Sequence, residues 1–152
     1  MMDEDDPYSP RPVAAWFIPA AVASLLFMGL GCIMFLMEVL TDPMTLPLDQ
    51  QAVRDATPGW VIGANGFAVL TGLGGTILLL MRNRLAVGVL AVSLISVLVM
   101  LAGLIVVQPL REAASANDLL VAIVITALTW TIFWFARHSK SRGWLTEPKG
   151  HD

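Results

Sequence analysis

The stretch Gly66–Leu80, "GFAVLTGLGGTILLL", decides how the whole chain is read. Gly72, Gly74 and Gly75, followed by Thr76, have the look of a loop built to cradle a phosphate. A phosphate loop of that kind needs a lysine whose ammonium reaches the phosphates. The only lysines are Lys140 and Lys149, far from the glycines. A dinucleotide fingerprint fails as well, because Ile77 occupies the place of its last glycine. The stretch sits inside the uncharged run 56–81 and leads into "LLLMRNR". It reads as the middle of a helix in lipid, where glycine lets a neighbouring backbone come close.

The rest of the chain agrees. It has 152 residues, of which 57% are hydrophobic and 14% charged, with a mean hydropathy of +0.74. Uncharged runs cover 12–37, 56–81, 85–110 and 119–136. Each is long enough to cross a hydrocarbon core, which takes roughly 17–25 helical residues. Open strands in lipid leave backbone groups unsatisfied, so helices are expected. The fold class that follows is an all-α membrane protein, an antiparallel four-helix transmembrane bundle. The expected spans are about 13–40, 59–81, 85–107 and 118–136. Residues 1–12 are expected to be a disordered acidic tail and 137–152 a basic tail. The acidic start, "MMDEDDPYSPRP", lacks the basic opening of a cleavable signal peptide.

Lys and Arg set the orientation. Arg11, Arg82, Arg84, Arg137, Lys140, Arg142 and Lys149 fall on one side, and Arg54 and Arg111 on the other. The positive-inside rule then places both termini in the cytoplasm. Trp16, Trp130 and Trp134 near the inner interface and Trp60 near the outer one fit the aromatic belts. The expected location is the bacterial inner membrane.

Pro19 is expected to kink the first span or to lie in its first turn. Asp49 is a candidate N-cap for a short helix in the outer loop, Thr57 for the second span and Asn117 for the fourth. "RNR", Arg82–Arg84, is so short that spans two and three must form a tight hairpin.

Small and polar residues mark the seams, since no hydrophobic force holds helices together in lipid. At 100° per residue, Asn65, Ala68, Gly72, Gly75 and Thr76 share one face of span two. Gly74 points away from it. The matching stripes are Ser24, Met28, Gly31, Phe35 and Glu38 in span one, and Ser93, Ser96, Met100 and Gly103 in span three. Span four offers Thr126, Thr129, Trp130 and Phe133. Hydroxyls inside such helices mostly bond their own backbone.

Little catalytic chemistry is on offer. Cys32 is the only cysteine, and His138 and His151 both follow the fourth span. Neither a disulfide relay, a bis-histidine haem site nor a zinc site can be assembled from them. Asp49 and Asp55 read as a cap and a solvated residue. Glu38 and Asn65 remain as polar groups within the spans, on the seam faces and at similar depth. An ionisable group there is a candidate for function. The alternative is a carboxylate at the water boundary, paired with Arg54 or hydrogen-bonded to Asn65.

Four stretches, taken together, resemble a family of small bacterial four-span membrane proteins, many labelled sugar transporters. They are "GCIMFLME" closing span one, "LPLDQQAVRDATPGW" before span two, "GLGGTILLLMRNRLA" across the tight turn and "VSL" in span three. Together they cover about residues 24–96. Family members have a "WN" pair where this chain has Phe27–Met28, Gln at Glu38 and Tyr at Arg54. The resemblance implies four spans and, through that label, solute transport.

The expectation for function is therefore a non-enzymatic integral inner-membrane protein, an accessory subunit or a self-associating bundle. A small-solute transporter, with sugar as one candidate, working as an oligomer is the alternative. Membrane lipid and further protein subunits are the expected partners, with no nucleic acid and no cofactor.

Overall fold

The computed structural model describes residues 12–146. The acidic tail, Arg11, Lys149 and His151 lie outside the described residues. Among the described residues, four helices are long and apolar enough to cross a membrane. They are α1 (Phe17–Leu40), α3 (Gly59–Leu80), α4 (Leu85–Val106) and α6 (Ala116–Ser141). Between α1 and α3 lie a 3₁₀ turn, Pro43–Thr45, and the short helix α2 (Leu48–Ala56). A second short helix, α5 (Gln108–Ala113), joins α4 to α6. The described residues form no strand, and the architecture is an all-α, antiparallel four-helix membrane bundle.

The helices pack in the order α1–α3–α4–α6, with α3 and α4 the most extensive pair. The glycines explain that closeness. A Cβ at Gly75 would lie 2.7 Å from Cγ of Leu90 and 3.2 Å from its backbone nitrogen. A Cβ at Gly72 would meet Sδ of Met28 at 2.7 Å and Oγ of Ser93 at 3.0 Å. The seam of α3 thus receives both α1 and α4. Ser93 then donates to the Ala68 carbonyl at 2.7 Å, a buried hydrogen bond from one helix to the next. Gly74, by contrast, faces open space.

The other seam hydroxyls bond within their own helices, each to a carbonyl one turn back. Ser24 donates to Ala20, Ser96 to Val92, Thr76 to Gly72 and Leu73, and Thr129 to Ile125. Such bonds satisfy the hydroxyl without any partner from outside the helix.

Pro19 keeps one of its two expected places, and several boundaries differ from the sequence reading, for local reasons. Pro19 sits in the first turn of α1, where the missing N–H would have had no partner anyway. The cap of α6 is Ser115, in a reciprocal box with Asp118, so Asn117 lies inside the helix. Asp49 lies in the first turn of α2, whose N-cap is Pro47. Thr57 ends α2, its hydroxyl donating to the Val53 carbonyl, and Pro58 is the N-cap of α3. The fourth helix runs on to Ser141, so Arg137, His138 and Lys140 are helical.

Residues 142–146, which follow α6, are folded back onto the bundle. Gly143, at φ +72°, ends α6 in a left-handed turn: its N–H donates to Lys140 and that of Trp144 to Ser139. Arg82, at φ +59°, ends α3 in the same way, with N–H bonds from Arg82 to Leu79 and from Asn83 to Leu78. The two turns pair with each other. Thr146 N–H donates to the Arg82 carbonyl and Arg84 N–H to the Thr146 carbonyl. The Nε–H groups of Arg82 and Arg84 donate to the carbonyls of Trp144 and Leu145, at 3.0 and 3.2 Å. Trp144 and Leu145 are carried into the core, 8% and 1% exposed.

Candidate functional site

The bundle is closed at one end and open at the other. At the end bearing Arg82 and Trp144, α1 meets α6 through rings. Trp16 and Phe17 lie 5.4 and 5.6 Å from Phe135, and 5.5 and 6.0 Å from Trp144. Toward the other end α1 and α6 no longer pack on each other, and a cleft of about 370 Å³ opens between them.

Every spanning helix contributes to this cleft. Met28, Gly31, Met34 and Phe35 come from α1, Asn65, Ala68 and Val69 from α3, Ser93 and Val97 from α4, and Val121, Ile125 and Thr129 from α6. The wall is overwhelmingly apolar. Its polar side chains are Glu38, Asn65, Ser93 and Thr129. The Ser93 and Thr129 hydroxyls are already spent on Ala68 and Ile125. Glu38 and Asn65, picked out in the sequence, are thus brought to one cleft.

Above the cleft lies a polar vestibule of about 560 Å³, lined by Glu38, Asp49, Arg54 and Asp118 among others. Met34 and Glu38 line both cavities, so the two share a wall. Arg54 does not pair with the Glu38 carboxylate. Its Nη1 donates to the backbone carbonyls of Glu38 at 2.8 Å and Thr41 at 3.2 Å. A guanidinium there satisfies carbonyls that the end of α1 leaves over, and meets the negative end of the helix dipole. Glu38 is exposed and makes no ion pair with any described residue.

The remaining seam residues have packing roles. Gly31 lies against Val69, with 3.5 Å for an added Cβ. Ala68, Gly72, Gly75, Thr76, Ser93 and Ser96 are buried. Gly66, absent from the expected stripe, sits under the tip of the Phe35 ring, 2.7 Å from an added Cβ. In α6 the expected stripe is displaced. Trp130 is 56% exposed, while Ala122, Ile132, Phe135, Ala136 and Ser139 are the buried residues beside Thr129. Offsets of three and then four residues, from Ile132 to Phe135 to Ser139 with Ala136 beside them, carried that signal.

Among the described residues, no group of three or more His, Cys, Asp or Glu is placed to hold a metal ion. No family model, curated protein or solved structure matches the chain. The fold defines a multi-pass, all-helical membrane protein, with Glu38 and Asn65 in the wall of one apolar cleft.

Proposed function

We propose that this is a non-enzymatic integral protein of the bacterial inner membrane that self-associates through α1 and the α1–α6 cleft. The observation that carries the reading is the incomplete cover of α1. Only 17% of its apolar window is buried, against 28–33% for the other three spanning helices. Leu26, Leu30 and Met34 form one stripe along it, 68%, 57% and 63% exposed. A second copy laid against this stripe gains packing that lipid tails supply less specifically. The excess of Lys and Arg at the closed end supports a cytoplasmic position for that end.

Cysteine cross-linking in native membranes tests the assembly. Leu30→Cys in a Cys32→Ser background should give a covalent dimer. Ile95→Cys, on the 60% exposed flank of α4, should not. Equal yields from both positions, or none from Leu30→Cys, would refute association through α1.

A second reading, small-solute transport by such an oligomer, is favoured by the place of Glu38 in the lining of both vestibule and cleft. Glu38→Gln should then abolish solute-dependent flux in proteoliposomes. Thermal stability should be unchanged, because Arg54 holds the backbone carbonyl of Glu38 and not its carboxylate.

A further inference from the structure

At the closed end, α4 and α6 leave a groove of about 650 Å³ on the outside of the bundle. Its floor and sides are Val87, Gly88, Ala91 and Phe133, and its rim is Arg84, Arg137, Lys140 and Ser141. Gly88 is exposed, and a Cβ added there would meet nothing within 4 Å. The groove is therefore a depression where a side chain is missing, not a gap the fold needs. Arg137 and Lys140 lie one turn apart on α6, both exposed, and neither makes an ion pair with a described residue. Arg84 is held in place by its bond to the Leu145 carbonyl.

We propose that this groove is a binding site for one anionic phospholipid. The phosphate headgroup lies between Arg137 and Lys140, and an acyl chain runs over Gly88 and Ala91 toward the bilayer centre. The charge pattern selects the occupant. Cations sit at the interfacial end of an otherwise apolar trough, so a ligand must be negative at one end and hydrocarbon along its length. Guanidinium and ammonium groups are suited to phosphate oxygens, the former with two parallel hydrogen bonds. A neutral lipid or a partner helix of ordinary composition leaves those two charges unmatched. The exposed Trp134, stacked on His138 at 5.4 Å, lies on the neighbouring turn, where aromatic rings mark the headgroup level.

Native mass spectrometry of the detergent-purified protein, titrated with phosphatidylglycerol or with phosphatidylethanolamine, tests the site. The wild-type chain should retain one phosphatidylglycerol at roughly tenfold lower concentration than the zwitterionic lipid, as expected for two nearby cations. Inorganic phosphate should not compete at millimolar levels, since it lacks the chain. Arg137→Gln with Lys140→Gln should erase the preference for the anionic lipid. Gly88→Phe should fill the trough and weaken binding by a similar factor, with the charges intact. Neither substitution touches the core, so helicity and lipid-free melting temperature should match wild type. Equal retention of the two lipids by wild type would overturn the proposal. So would competition by phosphate, which makes the site a simple anion site. Unchanged binding by Gly88→Phe would also overturn it, reducing the effect to surface charge.

Discussion

The two ends of the bundle are held by different means. The closed end gathers the core: Phe17, Ala21, Leu79, Ala86, Leu90, Phe135, Ala136, Trp144 and Leu145 form one cluster of buried residues. Two helix-ending turns, at Arg82 and Gly143, are clasped to each other by backbone hydrogen bonds across it. At the open end α1 and α6 have separated. There the carbonyls of Glu38, in the last turn of α1, and of Thr41, its C-cap, accept from one long side chain, Arg54, reaching from α2. Ring packing and the clasp of the two turns are thus concentrated at one end. Local stability in a protein follows the same distribution. A bundle built in this way can bind or assemble at its open end without disturbing the fold at its closed one.

The sharpest way to break the comparison is to empty the closed end. Trp144→Ala removes the ring that meets Trp16, Phe17 and His138. Truncating a buried aromatic costs about 3–5 kcal/mol. We expect a fall of several degrees or more in the melting temperature in detergent micelles, and faster proteolysis after Arg142. At the other end Trp60, which is 52% exposed and covers Gly103, offers the matched test. Trp60→Ala should cost less than half as much, and parity between the two would remove the asymmetry.

How much of this was legible in the residues depends on how local the signal is. The four spans were, because charge is excluded from lipid and the runs are long. So was the seam of α3, because Gly72, Gly75 and Thr76 recur at the helical period beside Gly74, which faces away. The Ser115–Asp118 box was readable three residues apart, and Asn117 masked it by being an equally good cap type. The docking of Trp144 was not readable. Its partners Phe17 and Arg82 are far away in the chain, and no periodicity links a tail to a turn. Glu38 and Asn65 were legible as polar groups in apolar runs. The cleft that unites them was not, since it depends on which helices fail to pack, and a stripe on one helix does not name its neighbour.

A finer cut uses two glycines with the same clearance. An added Cβ comes within 2.7 Å of a neighbour at both Gly75 and Gly66. At Gly75 the Leu90 backbone nitrogen follows at 3.2 Å, so the helices themselves must move apart. At Gly66 the neighbour is only the tip of Phe35, whose half-buried ring borders the cleft and has room to turn. Overpacking costs about 1–3 kcal/mol where the surroundings cannot yield. Gly75→Ala should therefore fall in that range by thermal unfolding, and Gly66→Ala below it. Gly74→Ala, with nothing within 4 Å, is the neutral control. Equal losses at Gly75 and Gly66 would mean that the open end is packed as rigidly as the closed one.

Apart from that neutral control, the smallest expected loss lies midway between the ends. Ser93 is the hydroxyl in the spans that donates from α4 to α3, at 2.7 Å to the Ala68 carbonyl. Removing it in Ser93→Ala leaves that carbonyl inside the α3 helix, where it still has the hydrogen-bonding role of a helical backbone group, so no group is orphaned. Hydrogen bonds between helices in a membrane average about 0.6 kcal/mol by double-mutant cycles. The loss should be of that size, readable as a small downward shift in the unfolding midpoint. Its position gives it a second use. Ser93 also borders the cleft, so a loss well above 1 kcal/mol, on the order of a buried unsatisfied group, would show that the cleft is part of the structural core. A loss near the average keeps the cleft as a surface, and keeps the two ends of the bundle independent.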